Sequence, residues 1–146
     1  MKTTCEVLPP KDLADVRKEI TQLRELVATA AGTLAVRIRT TAPVRSGDLV
    51  SGIVPSPWEE NSKYPGKIVR QVYMDAGMND TFVKVSKSGK RYYYPASQEY
   101  GFRIANQSGA RNKRVPGKFF IQDSFYEYVP VFEKAVENLV DKVVSK

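Results

Sequence analysis

The 146 residues carry a formal net charge of +7, with 42% apolar and 27% charged residues, a balance that suits one folded domain with its own core. One cysteine and no histidine are present, which excludes an intrachain disulfide, a Cys/His zinc site and a catalytic triad of the usual kind. The charge is uneven: residues 61–118 hold twelve Lys/Arg against three acids, and the rest hold eleven against thirteen. The middle of the chain is therefore the part suited to an anionic partner.

The single domain, residues 1–146, is expected to fray over residues 1–9, leaving Cys5 an unactivated thiol. Residues 10–42 then read as one long helix. Leu13, Val16, Ile20, Leu23, Val27, Ala30, Leu34 and Ile38 recur at steps of three and four, forming one apolar stripe. Pro9 and Pro10 mark its start, and Pro43 disfavours helix at Ala42. Such a helix runs about 50 Å, long for so small a domain. Its second half, with Ala28, Ala30, Ala31, Gly32 and Ala35, is smooth enough for another helix to approach closely. The plainer alternative is a helix that covers its own sheet. The uncharged stretch from Leu26 to Val36 is no secretory signal, because Glu6, Asp12, Asp15, Glu19 and Glu25 precede it. It is also shorter than the roughly 20 residues that span a bilayer, so a cytosolic product is expected.

Pro43 to Asp48 form a turn, and Leu49 to Val54 a short strand or helical turn. Residues 55–66, rich in proline and polar groups, read as exposed loop. Lys67 to Ala76 has the composition of a strand, and Thr81–Val85 and Lys90–Tyr94 flank a glycine-containing turn in a β-hairpin pattern. In the run Tyr92-Tyr93-Tyr94-Pro95-Ala96-Ser97-Gln98-Glu99-Tyr100-Gly101, Pro95 opens a helical turn and Gly101 closes it. Residues 102–116 read as an exposed, aperiodic loop, after which Pro116 starts a helix. Pro130 divides the C-terminal end into two helices, Gly117–Tyr128 and Pro130–Val144. Phe125 and Phe132 are expected on their buried face, against Leu23, Val27 or Leu34. The fold class is α+β: a long N-terminal helix, a small antiparallel hairpin-based sheet, and C-terminal helices packed over it.

Three constellations carry possible chemistry. Arg103, Arg111, Lys113, Arg114 and Lys118 follow the tyrosine cluster; cations beside aromatics neutralise phosphate and stack bases, although a solvated loop beside tyrosines packed in a sheet is the plainer account of them. Glu99 is a lone carboxylate in a basic region, suited to pairing with an arginine of its own chain or of a neighbour. Ser46-Gly47-Asp48 is ordinary turn chemistry, without the lysine-serine pair of a phosphate loop. Neither a metal site nor a cofactor is expected, and no enzymatic role follows.

Three segments in order carry a further signal: Ala42, Pro43, Val44, Gly47 and Leu49; then Tyr94, Glu99, Tyr100 and Gly101; then Val115, Pro116, Gly117, Lys118 and Phe119. With the long helix before them and helix after them, they resemble the neck and tail-component proteins of long-tailed bacteriophages and prophages, over residues 10–146. Arg45-Ser46 stand where that family often has Asp-Thr or Asp-Ser, and Phe102-Arg103 follow the Glu-Tyr-Gly.

The resemblance implies a virion structural protein that closes into a ring, six- or twelve-fold, between head and tail. It implies as partners a head-side connector or adaptor and a tail-tube or tail-terminator protein, with double-stranded DNA passing through the lumen. It implies structural roles for Pro43, Gly47, Leu49, Tyr94, Glu99, Gly101, Pro116, Gly117 and Phe119. A non-specific nucleic-acid-binding protein is the alternative that the charge distribution leaves open.

Overall fold

A computed structural model describes residues 13–57, 67–104 and 113–145. Helix α1 spans Leu13–Thr41, roughly 43 Å at 1.5 Å per residue. It stops where proline sterics require: Ala42 is already non-helical and Pro43 follows. The expected start at Pro9 and Pro10 lies outside the described residues.

Both alternatives read for Leu49–Val54 occur in succession, as helix α2 (Asp48–Ser51) and strand β1 (Ile53–Pro55). β1 pairs antiparallel with β2 (Val72–Met74), Val54 opposite Tyr73. The expected strand over Lys67–Ala76 is thus three residues long, extended by single bonds from Ser56 N to Gln71 O and from Asp75 N to Gly52 O. A short 3₁₀ turn at Ala76–Met78 and helix α3 (Asn79–Phe82) lead into strand β3 (Val83–Val85). β3 pairs with β4 (Arg91–Tyr93) in the hairpin expected from sequence. Phe82 is fully buried, edge-on to Tyr93 at 6.0 Å between ring centroids. Helix α4 (Tyr94–Tyr100), strands β5 (Gly101–Ile104) and β6 (Lys113–Pro116), and helix α5 (Phe120–Val144) complete the chain.

The class is α+β, with three separate two-stranded antiparallel pairs among the described residues and the C-terminal helix against the first helix. Three expected elements after residue 101 need correction. Within the loop read at 102–116, both ends are strands: β5 and β6 form an antiparallel ribbon, Phe102 opposite Val115. Alternation over four residues is too short to register as a period, and residues 105–112 lie outside the described set. Pro116 ends β6 and does not open a helix. Finally, α5 is one helix that runs through Pro130. An interior proline costs about 3 kcal/mol, and packing on both sides of it offsets that cost. Before it, Arg37 of α1 lies over the Tyr128 ring at 5.4 Å; after it, Ala135, Val136 and Leu139 are half-buried on the helix that packs against α1.

Helices α1 and α5 run antiparallel. The end of α1 meets the start of α5 through a 2.9 Å bond between Thr41 Oγ1 and Ser124 Oγ. At the opposite end, Asp15 and Lys18 share a cleft with Lys142 and Val143. The core lies at the first of these ends, where Ala35, Ile38, Ala42, Leu49, Ile53 and Phe120 pack together. Arg39 ties α1 to β1 there, donating through Nε and Nη2 to Ile53 O at 2.9 and 2.6 Å. The expected burial of Phe125 is wrong: that ring is 50% exposed and Phe132 is half-buried, whereas Phe120 is 3% exposed.

Candidate assembly site: the α4–ribbon–α5 junction and its groove

Glu99 sits at the end of α4 and is 3% exposed. Its carboxylate accepts from Ile121 N through Oε2 and from Gln122 N through Oε1, both at 2.9 Å. It therefore caps the N-terminus of α5, where unpaired N–H groups and the helix dipole both favour an anion. A pairing with arginine was the expectation from sequence; the carboxylate is instead committed to backbone donors. This distant cap is needed because Phe119 occupies the N-cap position, makes no side-chain cap, and sits at φ 48, a left-handed conformation rare for a bulky residue.

The rest of the junction is backbone against backbone. Lys118 N donates to Gln98 O at 2.9 Å and Phe119 N to Glu99 O at 3.1 Å. Gly101, at φ 81, terminates α4 and lies opposite Pro116. A Cβ on Gly101 would overlap Val115 O, and one on Gly117 would overlap Glu99 O. Only glycine lets the two segments cross this closely. Tyr94 packs at the rim of the core from the start of α4. The upstream motif serves the same core from the other side: Leu49 is buried in it, Pro43 follows α1, and Gly47 precedes α2 at φ 86.

The basic residues do not form one loop. Arg103 and Arg114 face each other across the ribbon, as do Ile104 and Lys113. Alternation places Arg103 and Arg114 on one face, and Phe102, Ile104, Val115 and Lys113 on the other. Two like charges directly opposite are unfavourable in an isolated subunit. Lys118 is exposed just before α5, and Arg111 lies outside the described residues.

Beside the junction, a groove of about 740 Å³ runs between α1 and α5. Val27, Leu34, Tyr100, Phe125, Val129 and Phe132 are among its walls, and Arg70 lies in it. Arg70 Nη1 donates to Ser56 O at 3.4 Å, while its Nε is buried and has no partner among the described residues. Sequence reasoning missed Arg70 and Arg39, because a single arginine in a strand-like or helical stretch has no pattern to mark it. Away from the groove, desolvation pushes the Tyr93 phenol above its ordinary value of 10.0.

Among the described residues there is no cluster of His, Cys, Asp and Glu able to hold a metal, and no helix long and apolar enough to cross a membrane. Compared with family models, curated proteins and solved structures, the chain matches none.

Proposed function

We propose that this chain is a structural subunit of a bacteriophage neck, closing into a six- or twelve-fold ring that joins the head-side connector to the tail tube or its terminator. In that reading it works in the virion and assembles in the bacterial host. The observation that carries it is the unfinished apolar surface of the α1/α5 pair. Phe125 stays half-exposed in the wall of the α1/α5 groove, and Ile20 continues the Val27–Leu34 stripe of α1 as an exposed residue. A repeated heterologous contact covers such a surface on every copy when its rotation closes. A structural role also fits Glu99, the lone carboxylate of the basic region, which is occupied in capping α5.

The test is reversal of Arg111, Lys113 and Arg114 together. Heads and tails then accumulate unjoined while the purified subunit keeps its fold. Normal joining with altered DNA retention would favour the second reading, non-specific nucleic-acid contact. That reading has its own support in the opposed arginines Arg103 and Arg114. It predicts DNA binding that weakens steeply and log-linearly with salt.

A further inference from the structure

We propose that the apolar face of the β5–β6 ribbon of one copy seats in the α1/α5 groove of the next. The inference rests on the ring reading and names the contact that would build it. Phe102 and Ile104 are 43% and 41% exposed, and with Val115 they make one apolar face of a ribbon about 13 Å long. The groove offers the complementary surface, walled by Val27, Leu34, Phe125, Val129 and Phe132.

One charge pair at the groove rim fits the same arrangement. Residues 101–104 and 113–118 hold Arg103, Lys113, Arg114 and Lys118 and no acid. On α5, Glu133 is exposed on the side of the helix that carries the groove residues Gln122 and Val129. Lys113 lies on the apolar face of the ribbon, and Glu133 lies one turn beyond the groove residue Val129. A ribbon in the groove brings these two together at the rim. The ribbon and the groove are different surfaces, so the contact is heterologous and propagates from copy to copy.

The experiment uses the full chain with Cys5→Ser, carrying Ile104→Cys, Val129→Cys, or both, and a short bis-maleimide cross-linker at high protein concentration. Mixing the two single variants should give a cross-linked pair. Ile104→Cys mixed with Val140→Cys, which lies off the groove, should give much less. Lys113→Glu on the Ile104→Cys chain should lower the yield about threefold, the worth of one exposed ion pair, and Glu133→Lys on the Val129→Cys chain should restore it. Equal cross-linking to Val129→Cys and Val140→Cys, no cross-linked pair, or no rescue overturns the contact. A fast-migrating monomer from the double variant also overturns it, since the ribbon would then fill its own groove. A double variant that yields a ladder supports contact and ring together. One that stops at pairs keeps the contact and refutes the ring, whereas rings seen in particles without the cross-link refute the contact alone.

Discussion

The two ends of the α1/α5 pair are built from similar residues and reach different outcomes. At the junction end, Ile38, Ala42, Leu49, Ile53 and Phe120 are buried, and the start of α5 is capped by Glu99 and tied by backbone bonds to α4. At the far end, Ile20, Val140 and Val144 are exposed, and Val16, Leu23 and Leu139 are only half-buried. Helical periodicity is equally good at both ends. What differs is the presence of a third layer: α2, β1 and α4 close over the junction end, and nothing among the described residues does so at the other. Periodicity reports which face is apolar, and the neighbouring elements decide whether that face is finished within the subunit.

The comparison breaks most directly at the glycine crossing. Gly101→Ala combines a left-handed backbone with a Cβ placed on Val115 O and should cost about 3–5 kcal/mol, read by chemical denaturation. Gly117→Ala, strained by the close approach alone, should cost less. If neither variant shifts the midpoint, the crossing does not hold the junction together.

Phe120→Ala and Phe125→Ala test the contrast within one helix. Loss of the buried ring should cost about 3–5 kcal/mol, and loss of the half-exposed ring no more than about 1 kcal/mol. If the proposed neck ring is right, the order should reverse in assembled particles, with Phe125→Ala impairing joining while the purified protein melts nearly as the parent does. Equal melting losses would mean that the groove is filled within the subunit.

Glu99→Ala removes both acceptors from the part-buried N–H groups of Ile121 and Gln122 and should cost about 2–3 kcal/mol. Glu99→Gln keeps one acceptor and should retain about half of that stability. Hydrogen exchange gives the specific signature: faster exchange at Ile121 and Gln122 with the far end of α5 unchanged.

How much of this was legible in sequence follows from the range of the interactions. The end of α1 at Pro43, the β3–β4 hairpin and the Pro95–Gly101 turn are set by residues within a few positions of one another, and all three are present. The distant relations were not legible. The cap on α5 comes from Glu99, more than twenty residues before the donors it satisfies, so no local window contains both partners. Pro130 misled for the same reason, since local propensity argues for a break and packing on α1 overrides it. Read as one aperiodic loop, residues 102–116 concealed the register that sets Arg103 against Arg114.

That register yields the smallest effect on stability. Arg103→Glu converts a directly opposed like-charge pair into an attractive one, so the isolated subunit should gain up to about 1 kcal/mol. The gain should shrink in high salt, because both side chains are exposed. A substitution that improves the free subunit and impairs its assembly identifies a pair kept for a partner. On the proposed contact, seating Phe102 and Ile104 in a neighbouring groove would turn Arg103 and Arg114 to the other side of the ribbon, away from that groove. Arg103→Glu should therefore leave cross-linking between copies intact and reduce the joining of heads to tails. Loss of the copy-to-copy cross-link would show instead that the arginines face the groove.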